Sequence, residues 1–234
     1  MATNNCSDAA FLDLMTFLSP SFPVGSYVYS HGIEFAVEDK LIQNESQLRV
    51  WIKAALSQGA GRIDGVLFRI TWQAVKDQNF DRLCWVVERG DIMRATNEMA
   101  LESESQGVAF LDTVMEVKNL KEIQHLMDIM RKIERKPTYA IAVAIALAIA
   151  NVPLRSALLA YFHSFASNLV SAGVRLIPLG QVAGQRCIES IKSNINSSIE
   201  AALHDNFEEI GTAAPIIDIA SMNHETQYTR LFRS

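Results

Sequence analysis

Residues Tyr139–Ala150 have the sequence YAIAVAIALAIA, a run of apolar side chains without a charge. A basic pair and Pro137 precede the run, and Asn151 follows it. A helix that crosses a bilayer needs about 20 apolar residues, so this run is too short to span one. A helix that is apolar on every side is instead buried among other helices, and its alanines let those helices approach closely. We therefore predict a helix over Thr138–Asn151 that is buried on all sides.

Six other segments carry apolar residues at the spacing of an α-helix. Their stripes begin at Leu48, Ile63, Phe80, Leu120, Leu154 and Ile188. Asn44, with Gln47 at the capping-box position, and Asn79 precede two of them as N-caps. Pro137 ends one helix and Pro153 opens another. Because almost no sustained alternation of period two accompanies these stripes, the sequence predicts an all-α fold.

The chain contains no visible boundary between domains. Asn97–Val117 is also predicted to be helical, and neither a repeat nor a low-complexity linker interrupts the sequence. We predict a single-domain multi-helix bundle over residues 1–234, with a mobile N-terminus over residues 1–8. Pro215 separates the last long helix from a C-terminal interaction tail, residues 215–234. Termini are usually mobile unless tied down, so we expect this tail to be loosely ordered in the free protein; the alternative is that it packs back on its own domain.

The composition argues against several classes of protein. The formal net charge is −5, which disfavours nonspecific nucleic-acid binding, since that depends on Lys and Arg contacts to phosphates. Cys6, Cys84 and Cys187 lie far apart and form no CxxC pair, so no zinc ribbon or thioredoxin-type site is visible. Sparse cysteines fit a reducing compartment, and the first residues lack the features of a secretory signal. We expect a cytoplasmic protein that binds neither nucleic acid nor a membrane.

Common catalytic motifs are missing from the sequence. It has no Walker A loop, no Gly-x-Ser-x-Gly elbow and no HExxH pair. His31 and Glu34 would share a helix face and could bind a metal with further ligands. The alternative is that His31 hydrogen-bonds within its loop while Glu34 pairs with a basic residue or caps a helix. We expect no catalytic residue, cofactor or metal, and we expect His163, between Phe162 and Phe165, to be a core histidine.

A stiff, aromatic stretch lies near the N-terminus. Residues Ser19–Glu34 have the sequence SPSFPVGSYVYSHGIE. Pro20 and Pro23 fix their own φ angles, whereas Gly25 and Gly32 allow backbone angles that other residues avoid. The stretch therefore predicts a rigid loop with a structural or binding task.

Three motifs together resemble the urease accessory F (UreF) family. The first is Pro-Val-Gly followed by an aromatic residue, Tyr-Ser, His-Gly, an aliphatic residue and Glu, within residues 23–34. The second is RLIPLGQVAGQ at residues 175–185, and the third is DIASMNHETQYTRLFRS at residues 218–234. They occur in the expected order, so the resemblance spans nearly the whole chain, although residues 75–150 match only in their helical, Ala-rich character.

The resemblance implies an all-α, noncatalytic, cytoplasmic homodimer that acts as a nickel-insertion chaperone. Members of the family join the accessory D protein, called H in some species, to the accessory G protein, a GTPase that carries nickel. The D/H protein meets the urease apoprotein, and the F protein is thought to govern the activity of the GTPase. By this resemblance, the tail would become fixed on the D/H protein.

The same resemblance, together with the preference of interfaces for aromatic and Arg anchors, suggests partner-binding residues. These are Tyr27, Tyr29, His31, Glu34, Arg175, Gln181, His224, Glu225, Tyr228, Arg230, Phe232 and Arg233. Arg175 would face the GTPase, or it would instead complement the charge at the end of its helix. Two other functions stay open: a carboxylate–histidine metalloenzyme built around His31 and Glu34, and a generic helical adaptor.

Overall fold

Helices are the only regular elements in residues 6–119 and 121–233, the part of the chain that the computed structural model describes. In chain order they are α1 (Asp8–Phe17), α2 (Ile33–Glu38), α3 (Glu45–Ser57), α4 (Ala60–Lys76), α5 (Phe80–Gly90), α6 (Asn97–Lys118), α7 (Lys121–Lys132), α8 (Tyr139–Ile149), α9 (Leu154–Leu176), α10 (Gln181–His204) and α11 (Pro215–His224). Single turns of 3-10 helix lie at Ser26–Val28 and Phe207–Glu209. The predicted all-α fold is confirmed.

The helix α8 lies at the centre of the bundle, as its apolar sequence predicts. Its residues from Ala140 to Ala148 are all buried, and it packs most extensively against α4 and α6. Gly107 of α6 makes the close approach possible, because a Cβ atom there would lie 2.2 Å from the carbonyl oxygen of Pro137. The buried apolar side chains form one contiguous core that reaches from α1 to the C-terminal segment.

Local capping signals place the helix starts correctly. The Asn44 side chain accepts a hydrogen bond from the Gln47 amide at 3.1 Å, and the Asn79 side chain accepts one from the Arg82 amide at 2.9 Å. Both residues are the predicted N-caps of α3 and α5. Pro153 likewise precedes α9, as expected.

The two chain ends differ from the prediction. The sequence pattern did not indicate α1, α2 or α11. Residues 1–5 of the predicted mobile N-terminus lie outside the described residues, whereas Ser7 caps α1 by accepting a hydrogen bond from the Ala10 amide at 3.2 Å. The predicted tail is not irregular, because its first half forms α11.

Among the described helices, α9 is long and apolar enough to cross a membrane by length and composition. Half of its most apolar window is buried inside the domain, and the core helix of a soluble protein gives the same signal. This evidence for a membrane span is therefore weak.

Candidate partner-binding site

The site begins with the stiff loop before α2. Gly25, His31 and Gly32 all have positive φ angles, of 71°, 51° and 76°. Gly32 precedes α2, and a Cβ atom at this position would lie 3.0 Å from the Ser221 backbone nitrogen of α11. A glycine is therefore needed both for the turn and for the contact between α2 and α11.

The Glu34 carboxylate, in the first turn of α2, joins this loop to the C-terminal segment. It is only 6% exposed. Its Oε1 atom accepts a hydrogen bond from the Leu231 amide at 2.7 Å, and its Oε2 atom accepts one from the Phe232 amide at 2.9 Å. The Nε2 atom of His224 lies 3.0 Å from the same Oε2 atom. Three polar partners thus compensate for the burial of one charged group.

The His224 ring lies between two carboxylates. Its side chain is fully buried, and its Nδ1 atom is 2.8 Å from Oε2 of Glu98 on α6. Each ring nitrogen therefore faces a carboxylate oxygen within hydrogen-bond distance. Arg230 donates to the other oxygen of Glu98 at 3.1 Å. Burial raises the pKa of Glu98, although the hydrogen bond from His224 acts in the opposite direction.

Phe232 anchors the end of the chain. Its side chain is 5% exposed, and the Arg175 guanidinium of α9 lies 4.4 Å from the centre of its ring. The next residue, Arg233, donates its backbone N–H to the Val28 carbonyl at 2.7 Å. In this structure the tail is therefore packed on its own domain, which is the alternative left open above, and the expectation of a loosely ordered tail is not met. That it binds a partner stays a prediction.

We call the residues joined by these contacts the tail clamp. It consists of Glu34, Glu98, Arg175, His224, Arg230, Phe232 and Arg233. Beside it, Tyr27 and Tyr228 are exposed, and so is Glu225 at the end of α11. Tyr29 is buried, and Gln181 is the exposed first residue of α10. In residues 6–119 and 121–233, no hydrogen bond, ion pair or ring contact joins either of these two side chains to the clamp.

His31 belongs to a different cluster. Its Nε2 atom lies 2.9 Å from Oε1 of Glu102 on α6, and its ring packs edge-on against Phe165. Burial alone would lower the pKa of His31, but the charge and hydrogen bond of Glu102 outweigh it, so the pKa is raised. The alternative in which His31 bonds within its own loop is therefore wrong, whereas Glu34 does pair with a basic residue, His224.

The two side chains therefore do not form a common metal site. His31 faces Glu102 and Glu34 faces His224, and the described residues contain no group of three or more His, Cys, Asp or Glu arranged to hold a metal ion. His163 also differs from its prediction. It is exposed and lines an apolar groove between α1 and α9 rather than the core.

A small cavity of about 50 Å³ adjoins His31. On another wall, the carboxylate of Asp64 pairs with Arg94 at 2.6 Å and accepts a hydrogen bond from the Tyr161 hydroxyl at 2.8 Å. Burial, reinforced by the charge of Asp64, raises the pKa of Tyr161 well above its usual value. Sequence patterns did not single out these residues, nor Glu98 and Glu102. Glu98 and Glu102 are four residues apart within a predicted helix, so they lie on one helix face. This spacing is the sequence feature that could have identified them as site residues.

Comparison with known proteins agrees with the motifs. The UreF family model matches residues 42–192. A urease accessory protein UreF from Granulibacter bethesdensis is 39% identical over 232 residues, covering 99% of this chain and 97% of the relative. One from Magnetococcus marinus is 39% identical over 232 residues, covering 97% of this chain and 99% of the relative. One from Rhodopseudomonas palustris strain TIE-1 is 38% identical over 226 residues, covering 97% and 93%. The chain therefore belongs to the urease accessory protein UreF family.

Proposed function

We propose that this protein is a noncatalytic, cytoplasmic scaffold for nickel insertion into urease. It binds the accessory D/H protein and the accessory G GTPase, regulates that GTPase, and reaches the urease apoprotein through the resulting complex. The names of its relatives, each a urease accessory protein, support a role in urease maturation. The tail clamp is the structural observation that most strongly supports the proposal.

The clamp supports a binding role because it holds exposed side chains on a fixed backbone. Glu34 is buried and fixes the backbone at residues 231–232, which leaves Leu231 and the Tyr228 ring exposed. The backbone contact from Arg233 to Val28 lies next to Tyr27, which is also exposed. Exposed tyrosines and arginines on a fixed backbone are the residues that dominate binding energy at protein interfaces.

The outer face of α11 supports a second contact, with the D/H protein. Ile217 and Ala220 face the core, yet Ile216, Ile219 and Met222 are exposed on the other side of the same helix. Ile216 lines a groove of apolar side chains together with Val50 of α3. A helix that is apolar on both sides needs a second covering surface, and an apolar partner would provide one.

A homodimer is supported by α1. Phe11, Leu12 and Met15 are exposed on this helix. Phe11 and Met15 line an apolar groove with Leu159 of α9, and a second copy of the chain would cover it. The scaffold is favoured over the metalloenzyme alternative because the His31 and Glu34 side chains have different partners.

Deletion of residues 228–234 tests the proposal. We expect the shortened protein to stay folded, since Phe232 alone among the deleted described residues belongs to the apolar core, but to lose co-purification with the D/H and G proteins. Urease matured in its presence should contain little nickel. A Glu116→Ala variant, altered at an exposed position of α6, serves as the control. Retention of both complexes by a folded, shortened protein would contradict the proposal.

A further inference from the structure

A second surface combines aromatic rings with arginines. Trp85 of α5 has the guanidinium of Arg82 4.6 Å from its ring centre and that of Arg89 4.2 Å from it. The ring of Phe207 contacts Trp85 edge-on, with the ring centres 4.5 Å apart. Arg89 also donates to the Trp85 carbonyl at 3.0 Å, which fixes its side chain along the helix.

The neighbouring helix α4 adds two further guanidinium groups. Arg62 and Arg69 are seven residues apart, so they lie on the same helix face. Arg62 pairs with the Asp205 carboxylate at 3.2 Å, and Arg69 donates to the Asp205 carbonyl at 2.8 Å. We call Arg62, Arg69, Arg82, Trp85 and Arg89 the arginine–tryptophan cluster.

Positive charge in this cluster exceeds the negative charge that contacts it. Asp205 pairs with Arg62, and Glu88 lies 3.7 Å from Arg89. In the described part of the chain, Arg82 has no carboxylate partner. The Nε atom of Arg69 is buried without a hydrogen-bond partner. Burial and then the charge of Arg82 lower the pKa of Arg69, whereas the charge of Asp205 acts in the opposite direction.

The acidic residues of α5 lie next to its arginines. Asp81 and Glu88 flank Cys84, and burial together with their charges raises the pKa of that thiol. Glu88 also contacts Arg89, so Arg82 is the α5 arginine without a carboxylate partner in the described residues. Because the whole protein carries a net charge of −5, a basic surface of this kind is a local exception.

Stacking prepares the arginines for binding. A guanidinium that lies against an indole ring keeps its edge N–H groups available for the two oxygens of a carboxylate. Its side chain is already held in place, so binding costs less conformational entropy. Arg and Trp are also the residues that most often dominate protein interfaces. We propose that the arginine–tryptophan cluster is a docking surface for an acidic peptide segment of a protein partner.

This surface lies on α4, α5 and the segment after α10, whereas the tail clamp joins α2, α6, α9 and the C-terminal residues. The inference therefore does not depend on the proposed function. Carboxylates of the partner segment bind at Arg82 and Arg89, and an apolar residue of the segment covers the exposed part of Trp85.

Fluorescence anisotropy with a labelled hexaglutamate peptide tests the proposal on the full chain. We expect saturable binding that weakens with added salt, because the contacts are between exposed charges. Arg82→Glu should weaken binding at least about tenfold, a free-energy change of about 1.4 kcal/mol. Arg131→Glu, at an exposed arginine of α7 that pairs with Asp128, is the matched control and should bind like the unaltered protein.

Three results would overturn the proposal: no saturable binding, equal loss in both variants, or equal binding of a hexaglutamine peptide. Displacement of the peptide by inorganic phosphate at equal concentration would instead identify a phosphate site. Arg82 is exposed, so its variant should fold, and a thermal melt confirms that. Arg82→Glu should still form the complexes that depend on the tail clamp, which separates failure here from failure of the proposed scaffold function.

Discussion

Glu34 and His224 are 190 positions apart in the sequence, yet Oε2 of the first lies 3.0 Å from Nε2 of the second in the interior of the protein. Their contact connects the loop before α2 to the end of α11.

Replacing Glu34 with Gln should release the tail without unfolding the bundle. The amide group of Gln presents one acceptor oxygen where the carboxylate presents two, so at least one of the Leu231 and Phe232 amides loses its partner. We expect a loss of about 1–3 kcal/mol in the free energy that holds the tail. Limited proteolysis should cut the variant near residue 230 faster than the unaltered protein. Glu45→Gln, at an exposed ion pair with Arg186, should show no such change.

The contact between Arg175 and Phe232 should be measurable as a coupling energy. We expect a double-mutant cycle with Arg175→Ala and Phe232→Leu to give about 0.5–1 kcal/mol, the range for a partly exposed cation and an aromatic ring. Hydrogen exchange of the amides at residues 231–233 is the measurement, because it reports local opening of the tail. Strictly additive effects would show that the two side chains are adjacent without attracting each other.

His31 should make the stability of the protein depend on pH. Its pKa is raised above the usual 6.5 in the folded state. The protonated ring therefore contributes stability that is fully present below about pH 6.5 and is lost as the pH rises through the folded-state pKa. We expect His31→Asn, which tolerates the positive φ angle at this position, to cost more at pH 6 than at pH 9. Urea denaturation at a series of pH values checks this, and an equal cost at both would contradict it.

Overpacking should reveal how tightly α8 is held. Ala144 and Ala146 are 0% and 1% exposed, so replacing either with Leu forces side chains or backbone to move. The expected cost is about 1–3 kcal/mol, seen as a lower melting temperature. Ala201→Leu, at an exposed position of α10, is the control and should change the melting temperature little. Unchanged melting of both buried variants would show that α8 is exposed.

Local signals predicted the middle of the fold well. The caps Asn44 and Asn79 act on the amide three residues later, so the sequence alone contains both partners. The apolar run of α8 predicted burial because no other environment suits such a helix. The prediction of a helix over Asn97–Val117 was also correct. Gly107 does not end α6 but allows it to pack closely against the start of α8.

The missed helices have apolar residues on more than one side. In α1, Phe11 and Met15 are exposed although Leu14 and Phe17 are buried, so no single apolar stripe appears. The same holds for α11. His163 was misplaced because its neighbour Phe162 is buried while its own position on α9 faces outward.

The sequence could predict most of the residues of the candidate site, but not which of them contact one another. Positive φ angles at His31 and Gly32 direct the His31 and Glu34 side chains to different partners, and spacing alone cannot show this. The partners Glu98 and Glu102 are far away in the sequence, so only the packing of α2, α6 and α11 brings them together.

The long sequence separation between Glu34 and its backbone donors has a consequence for protein synthesis. A domain begins to fold while the ribosome is still adding residues. The donors at Leu231 and Phe232 are made 197 and 198 residues after Glu34, so its carboxylate stays solvated until they have been translated. A nascent chain that stops before residue 231 lacks both backbone donors and cannot assemble this surface.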